Sequence, residues 1–321
     1  MTDERARRIG QRSALLVKMR TIAKDVRGDD PTRRVHLIVS IDRFLQRLLA
    51  TTGWGTWALK GGYANQLRHP DEARFTEDVD LKIDAVIGRA TEMIANAAAH
   101  ELDDPFSFEM ATPPRTLVGP PGGGLRYIMV ARLIGQELVR FKVDVSSQDA
   151  VVGNLERHRS DPIVERLGLA RATFPVYPIA QQFAEKIHAY TRPRDVENTR
   201  AKDLADMVWF TTRHAFRSQA LIEAGLATFV RRGEHPWPPI LAAPPAVWAR
   251  QYAFLRREMD LEQPTADDAY EALVAFLAPV LGGDRTLRWS PKTRTWSKVA
   301  ARGRSGATDR PRGSDSESGR A

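Results

Sequence analysis

The sequence contains no cysteine and no long apolar run. Without cysteine the protein has no disulfide bond, no thiolate nucleophile and no zinc–thiolate site. A membrane span needs about 18 consecutive apolar residues, so we expect no membrane partner. The first residues, MTDERARRIGQRSALL, also lack the apolar core of a secretory signal. These absences predict a cytoplasmic protein.

Histidine is sparse as well, and the sequence shows no histidine pair at the spacing of a metal site. The seven histidines are His36, His69, His100, His158, His188, His214 and His235.

The sequence has instead an excess of basic residues, with 48 Lys and Arg against 40 Asp and Glu and a net charge of +8. Positive charge favours polyanionic partners such as nucleic acid. The composition of an Arg-rich, GC-rich genome would give the same excess whatever the function. Charge alone therefore leaves the partner open.

Hydrophobic periodicity divides the chain into four segments. Residues 1–52 form an N-terminal helical segment, with one helix over about 1–27 and another over about 33–51. Residues 53–174 alternate strands and helices, 175–283 form a helical C-terminal domain, and 284–321 form a basic tail that is largely disordered at its end. This order predicts an α+β protein with a mixed sheet.

An acidic strand is the main chemical signal. The segment EARFTEDVDLKID places Asp78 and Asp80 two residues apart in a pattern that alternates like a strand. Side chains at i and i+2 of a strand share a face, so the two carboxylates are neighbours. Adjacent anions repel unless a cation lies between them. The pair indicates a metal ion, and the alternative is a solvated strand face.

Two further features accompany this strand. Gly61 and Gly62 close a predicted strand, WALK, and open a predicted helix, where backbone N–H groups can bind phosphate oxygens. Asp144, on the later strand FKVDV, would complete a set of three carboxylates. Such oxygen ligands suit Mg²⁺, with Mn²⁺ as a second possibility. Taken singly, the glycine pair could be an ordinary turn and Asp144 a charge at a sheet edge.

Five segments resemble, in order, the motifs of the nucleotidyltransferase superfamily with a polymerase-beta-like core. They are LKGGYANQLR, RFTEDVDL, FKVDV, AEKIHAY and RAKDLADM. The chain more closely resembles the AbiEii/AbiGii toxin family, which includes the mycobacterial MenT toxins. The resemblance covers about residues 59–207 and implies that the mixed sheet is a nucleotidyltransferase core.

The resemblance implies a role for each matching position. Asp78, Asp80 and Asp144 fall on the catalytic metal ligands, and Gly61 and Gly62 on the nucleotide-phosphate loop. Thr76 matches the Ser or Thr before the first Asp, a candidate nucleotide contact, and Lys186 matches a catalytic lysine that contacts the triphosphate. In the last motif, Asp203 is a candidate catalytic base. The candidate nucleotide contacts of that motif are Arg200, Lys202 and Asp206.

One position departs from the family pattern. Tyr63 follows the two glycines, where relatives often carry Ser or Thr. The departure puts one phosphate contact in doubt.

Several of these residues also have simpler interpretations. Lys186 could pair with a nearby acid on the helix surface, and Lys202 and Asp206, at i and i+4, could form a surface pair. Arg200 could pair only with Asp203, and Arg74 could contact the nucleotide or lie in solvent.

Two aromatic residues of the basic tail need a separate interpretation. Trp289 and Trp296 lie among basic residues, a composition that can stack on single-stranded RNA. We favour the alternative that they dock on the protein core.

The family resemblance also implies a reaction and its partners. A nucleoside monophosphate is transferred from an NTP, as by the MenT group, to the 3′ end of tRNA, which blocks translation. The expected substrate is CTP or another pyrimidine triphosphate, and a cognate antitoxin is the expected protein partner. The alternatives are nucleotidylation of a protein such as the antitoxin, and an NTP- or RNA-binding module without catalysis.

Overall fold

The computed structural model describes the backbone of residues 2–117, 123–194 and 198–299, and the side chains from residue 10 onward within those ranges. The helices in these ranges are α1 (Thr2–Ala23), α2 (Pro31–Thr52), α3 (Gly61–Arg68), α4 (Ala90–Ala99), α5 (Pro162–Arg166), α6 (Ile179–Thr191), α7 (Ala201–Arg213), α8 (Ser218–Arg232), α9 (Trp248–Met259) and α10 (Ala266–Leu281). The strands are β1 (Trp57–Lys60), β2 (Asp78–Ile83), β3 (Phe106–Met110), β4 (Arg115–Leu117), β5 (Gly124–Leu133), β6 (Gln136–Ser146), β7 (Glu156–Arg159), β8 (Thr173–Val176), β9 (Phe216–Arg217), β10 (Leu287–Ser290) and β11 (Thr295–Lys298).

A mixed eight-stranded sheet forms the first half of the fold. Its strand order is β3-β5-β6-β2-β1-β8-β7, and β4 pairs with β5 at one end. The central strand β2 runs antiparallel to β1 and parallel to β6. The predicted α+β class with a mixed sheet is confirmed.

The two faces of the sheet differ in chemistry because its strands alternate. Val79, Leu81 and Ile83 of β2 are buried on one face, where α2 and α4 cover the sheet. Phe44 of α2 lies in edge-to-face contact with Phe141 of β6, with a centroid distance of 5.8 Å. The opposite face carries the polar residues of the same strands and is the face on which the site is built.

The entry into α2 explains why the chain turns at the RGDDPT segment. Asp30 is the N-cap, and its side chain accepts a hydrogen bond of 2.9 Å from the backbone N–H of Arg33. Pro31 occupies the first helical turn, where its missing N–H costs nothing. Helix α1 then packs on α2 through Met19 and Ile22, which are buried.

Helices α6–α10 enclose a second hydrophobic core. Phe183, Phe216 and Phe276 lie within 5.4–5.6 Å of one another, measured between ring centroids. No described helix is long and apolar enough to cross a membrane.

Five short elements were not predicted from the sequence, namely β4, α5, β7, β8 and β9. Strand β7 is Glu-Arg-His-Arg, so it shows no apolar alternation. Strand β8 pairs parallel with β1 and extends the sheet to Val176, just beyond the predicted domain boundary at residue 174.

The segment from residue 284 onward begins with folded structure. Strands β10 and β11 form an antiparallel hairpin that also pairs with β9. Trp289 Nε1 donates to the Thr211 carbonyl at 2.7 Å, and Trp296 Nε1 donates to the Phe276 carbonyl at 2.9 Å. Both tryptophans therefore dock on the helical core, as the sequence interpretation favoured. The predicted disordered end, residues 300–321, lies outside the described residues.

Candidate active site

Four charged residues form a row across four adjacent strands. Lys60 of β1 lies opposite Asp80 of β2 in the sheet register. Asp80 lies opposite Asp144 of β6, and Asp144 lies opposite Arg126 of β5. Residues paired in this way point to the same face of a sheet. Asp78 lies two residues before Asp80 on that face. The structure thus brings together the three carboxylates that the sequence analysis proposed.

Basic side chains balance these three anions. Arg126 donates to both oxygens of Asp144, with Nε–Oδ1 and Nη2–Oδ2 distances of 2.7 and 2.5 Å. Lys142 Nζ lies 3.4 Å from Asp78 Oδ1. Burial raises the pKa of Asp80 to about 6, and the negative charges of Asp144 and Asp78 act in the same direction. The positive charges of Lys60 and Lys186 lower this pKa, but by less. A further cation beside Asp80 would therefore favour its ionised form.

The donor set fits a hard divalent cation. Asp78 Oδ1 is buried and accepts no hydrogen bond from the described residues, and its nearest cation is the Lys142 ammonium group at 3.4 Å. The three side chains offer only oxygen atoms, the ligands that Mg²⁺ prefers in proteins. The fit requires that Arg126 release at least one oxygen of Asp144.

The glycine turn lies directly against this cluster. Gly61 has φ +66°, and a Cβ added to it would lie 2.0 Å from Asp80 Oδ2. A Cβ on Gly62 would lie 2.8 Å from Thr76 Cβ. The first N–H groups of α3, which have no side-chain cap, consequently start beside the carboxylates. The Thr76 hydroxyl accepts a 3.3 Å hydrogen bond from the Asp78 backbone N–H and so steadies the start of β2.

The Tyr63 hydroxyl does not replace the Ser or Thr hydroxyl expected after the two glycines. The Tyr63 side chain is 1% exposed, and its hydroxyl donates to the Ile38 carbonyl at 3.5 Å on the core side of α3. Burial raises the pKa of the Tyr63 phenol well above its ordinary value. Tyr63 is a core residue, and the backbone of Gly61 and Gly62 remains the polar surface of this turn.

Helices α6 and α7 bring a second charged group to the site. Lys186 Nζ lies 3.0 Å from Asp203 Oδ1 and 2.6 Å from Asp206 Oδ2, and it is close enough to Asp80 to lower the pKa of that carboxyl. Arg74 Nε donates to Asp206 Oδ1 at 2.9 Å. Burial would raise the pKa of Asp206, but Arg74 and Lys186 lower it to about 2. Asp206 therefore carries a negative charge that holds both cations.

The other residues of the last motif are more open. Asp203 is 13% exposed, and Arg200, which is 42% exposed, lies 3.6 Å from it. Lys202 is exposed and makes no hydrogen bond or ion pair with the described residues, so the structure does not connect it to the carboxylates. The suggested surface pair of Lys202 with Asp206 is wrong, because Asp206 is fully buried against Arg74 and Lys186.

A buried cluster around Lys60 was not predicted from the sequence. Lys60 Nζ contacts Asp149 and lies 3.5 Å from Glu185 Oε2, and Arg232 Nη2 lies 3.1 Å from the second oxygen of Asp149. Burial would lower the pKa of Lys60, but Glu185 and Asp149 raise it. The signal for Lys60 was present: in Trp-Ala-Leu-Lys the apolar Trp57 and Leu59 point to the core, which places Lys60 on the polar face.

A mixed sheet with clustered carboxylates beside a Gly-Gly helix start is the arrangement of a nucleotidyltransferase. A family model described as "Nucleotidyl transferase AbiEii toxin, Type IV TA system" matches residues 43–276, well over half of the chain. The chain therefore belongs to the AbiEii family of nucleotidyltransferase toxins of type IV toxin–antitoxin systems. The family resemblance read from the sequence motifs is confirmed.

Two bacterial proteins are among the solved structures that this chain matches. MenT4, a nucleotidyltransferase toxin from Mycobacterium tuberculosis H37Rv, is 20% identical with a TM-score of 0.47, over 78% of this chain and 93% of that one. JHP933 from Helicobacter pylori is 13% identical with a TM-score of 0.40, over 76% of this chain and 97% of that one. Among curated proteins, no sequence matches this chain.

Proposed function

We propose that this nucleotidyltransferase toxin transfers a nucleoside monophosphate from an NTP to the 3′ end of tRNA, in a Mg²⁺-dependent reaction that blocks translation in the cytoplasm. The observation that carries the proposal is the contact of Asp80 with Gly61, which joins the carboxylate cluster to the start of α3. A phosphate bound there meets backbone N–H groups and a site for a cation at once.

Asp78, Asp80 and Asp144 are the proposed ligands of Mg²⁺, or of Mn²⁺ in its place. When bound, the ion supplies positive charge to the triphosphate and to the departing pyrophosphate. The raised pKa of Asp80 supports this assignment, because a nearby cation would relieve the cost of ionising it.

The phosphates are proposed to lie against Gly61 and Gly62. Thr76 stabilises the start of β2 beside them through its hydrogen bond with the Asp78 backbone N–H. Lys186 is proposed to contact them from α6, because its ammonium group lies near Asp80 and is oriented by Asp203 and Asp206. Asp203 is the proposed acceptor of the proton that the attacking hydroxyl loses, since it is the more exposed of the two aspartates.

The rim of the site supports an RNA acceptor. Arg126 and Lys142 are 36% and 46% exposed beside the carboxylates, and Arg200 is 42% exposed on the α7 side. Exposed cations beside a site suit a phosphate backbone that enters it. Family membership makes an NTP the substrate and an antitoxin the partner, and we propose a pyrimidine triphosphate such as CTP.

A transfer assay tests this function. Purified protein, Mg²⁺ and each α-³²P-labelled NTP are incubated with total tRNA. Asp80→Asn removes a proposed metal ligand, and Asp84→Asn is the matched control because Asp84 directly follows the end of the same strand, pairs with Lys82 and is 76% exposed. Label in tRNA that Asp80→Asn abolishes and Asp84→Asn retains supports the proposal.

Two other outcomes would contradict it. Label on the toxin or on its antitoxin, without label in tRNA, would make this a protein nucleotidyltransferase. Bound NTP with no transfer to any acceptor would make the chain a binding module.

A further inference from the structure

A cluster of two histidines and one glutamate lies away from the carboxylate row. His188 is on α6, and Glu234 and His235 follow the end of α8. One ligand atom from each of these residues lies within 4.8 Å of those from the other two. The long sequence separation of the histidines hid this pair, which the sequence analysis treated as scattered.

The ring nitrogens of this cluster lack partners. His188 is 2% exposed, and its Nε2 is buried without a hydrogen bond to any described residue. His235 Nδ1 is buried and unpartnered in the same way, while its Nε2 lies 2.8 Å from the Thr191 hydroxyl. A buried polar atom without a partner is costly, so two of them in one place point to a ligand. The bond to Thr191 fixes the second ring and leaves Nδ1 available.

The surroundings keep the cluster in its ligand form. Burial and the nearby Arg232 lower the pKa of His188 to about 3, so the imidazole is neutral at physiological pH. Glu234 Oε2 lies 3.7 Å from His188 Nε2 and 2.9 Å from Arg192 Nε, and the pair with Arg192 holds the carboxylate beside the rings. Neutral imidazole and carboxylate are the protonation states that bind metal.

We propose that His188, Glu234 and His235 bind a divalent transition-metal ion of the zinc class, with a water molecule in the fourth position. Two imidazoles and one carboxylate are a common ligand set for such ions, whereas Mg²⁺ prefers oxygen alone. Ligands at about 2.0–2.1 Å from a tetrahedral ion lie about 3.4 Å apart, which small side-chain rotations reach from the present arrangement.

The bound ion would fix the end of α8 against α6. Gly233 ends α8 in the left-handed conformation, and the residue before it, Arg232, holds Asp149 beside Lys60. Lys186 lies on α6 two residues before His188. The ion would therefore tie together the two elements that place Lys60 and Lys186 near Asp80, as a structural metal and not as a participant in the transfer step.

Cobalt(II) is the probe, because four-coordinate Co²⁺ with imidazole ligands absorbs visible light. Tag-free, full-length protein carrying Asp80→Asn is stripped with EDTA and titrated with Co²⁺. The substitution removes one of the three proposed carboxylate ligands near β2 and so weakens that competing site. We expect one equivalent to produce the visible bands and to raise Tm. The readout is independent of catalysis, so failure of the proposed function would leave it intact.

Variants assign the ligands. His235→Gln and Glu234→Gln are each expected to weaken Co²⁺ binding at least tenfold; these two residues are more exposed than His188, whose ring packs against Phe229 with a centroid distance of 4.9 Å. His69→Gln is the matched control and should leave Co²⁺ binding unchanged. His69 also contacts a second histidine, His214, but these two form no three-residue ligand group with a carboxylate among the described residues. Absence of the bands in the parent, or identical bands in His235→Gln, would overturn the proposal.

Discussion

Gly61 and Asp80 are in such close contact that no side chain fits between them: a Cβ on Gly61 would lie 2.0 Å from Asp80 Oδ2. The left-handed φ of +66° at Gly61 adds a second reason for glycine at this position. The contact sets the distance between the proposed phosphate loop and a proposed metal ligand.

Gly61→Ala is therefore expected to lower kcat/KM for nucleotide transfer about 100-fold or more, because Asp80 must move by about 1 Å. Gly168→Ala is the control. Gly168 has φ +81° and no atom within 4 Å of the position that a Cβ would take. Its substitution therefore introduces the backbone strain without a steric clash. Steady-state kinetics with tRNA check the prediction, and equal losses in both variants would contradict it.

Asp80 should make the metal-free protein less stable at neutral pH. Its folded pKa of about 6 is above the unfolded value, so stability is lost as pH rises from about 4 to about 6. Asp80→Asn is expected to raise the free energy of unfolding by about 1–3 kcal/mol at pH 8 and to have no such effect below pH 4. Melting temperatures in EDTA across this range test the sign. Mg²⁺ should then stabilise the parent protein more than the variant.

Asp203 and Asp206 should respond differently to substitution although both bind Lys186. Asp206→Ala leaves Arg74, which is 14% exposed, without its carboxylate partner and leaves Lys186 with Asp203 alone, and it is expected to cost about 3–5 kcal/mol of stability. Asp203→Asn removes a more exposed carboxylate and should lower kcat while changing Tm little. Thermal melts and kinetics on the two variants separate the roles. A stable, active Asp206→Ala protein would refute the structural role of that aspartate.

Arg126 competes with a metal ion for Asp144, because it donates to both carboxylate oxygens. Arg126→Gln is expected to strengthen Mn²⁺ binding severalfold, as measured by the electron paramagnetic resonance signal of free Mn²⁺. Arg140→Gln is the control, since that arginine pairs only with Glu137 on the surface. Unchanged Mn²⁺ affinity in Arg126→Gln would mean that Asp144 is not a ligand.

The docked tryptophan of the β10–β11 hairpin should matter for stability. Trp289 is 8% exposed and packs on Phe276 at a centroid distance of 4.8 Å. Trp289→Ala is expected to cost about 3–5 kcal/mol in denaturant unfolding. The control Trp54→Ala removes a ring that is 42% exposed and lies beneath the Arg157 guanidinium group. This substitution is expected to lower the free energy of unfolding by about 1 kcal/mol. Weaker RNA binding without loss of stability would favour the stacking interpretation instead.

The sequence predicted what depends on local alternation. Asp78 and Asp80 share a face because strand side chains alternate, and Gly61 opens a helix because the apolar pattern changes period there. Asp144 follows from the same alternation in β6. These positions needed no knowledge of the tertiary fold.

The partners of these residues depend on the register of the sheet, which the sequence does not show. The β5–β6 hairpin contains an irregularity at Ala131 and Arg132 that shifts the pairing by one residue. Without that shift, Arg126 would pair with Val143 and point to the core face. The pairing of Arg126 with Asp144 thus follows from a bulge that no local pattern announces.

Contacts between distant segments were equally hidden. Lys60 meets Asp149 and Glu185, and His188 meets His235, through contacts between segments far apart in the sequence, among them the packing of α6 on α8. The sequence contains these residues but no periodic pattern that joins them. Strand β7 was missed for a different reason, since its four residues are all polar or charged.

The row from Lys60 to Arg126 also has a consequence for the timing of toxicity. Its members leave the ribosome in the order Lys60, Asp80, Arg126, Asp144, and Lys186 and Asp206 follow only after the sheet is complete. If Lys186 and Asp206 belong to the site as proposed, a nascent chain carries no assembled site, and the ability to modify a substrate arises late in synthesis, once α6 and α7 have been made. On this proposal, the cell that makes the toxin needs the protection of the antitoxin only when the chain is complete.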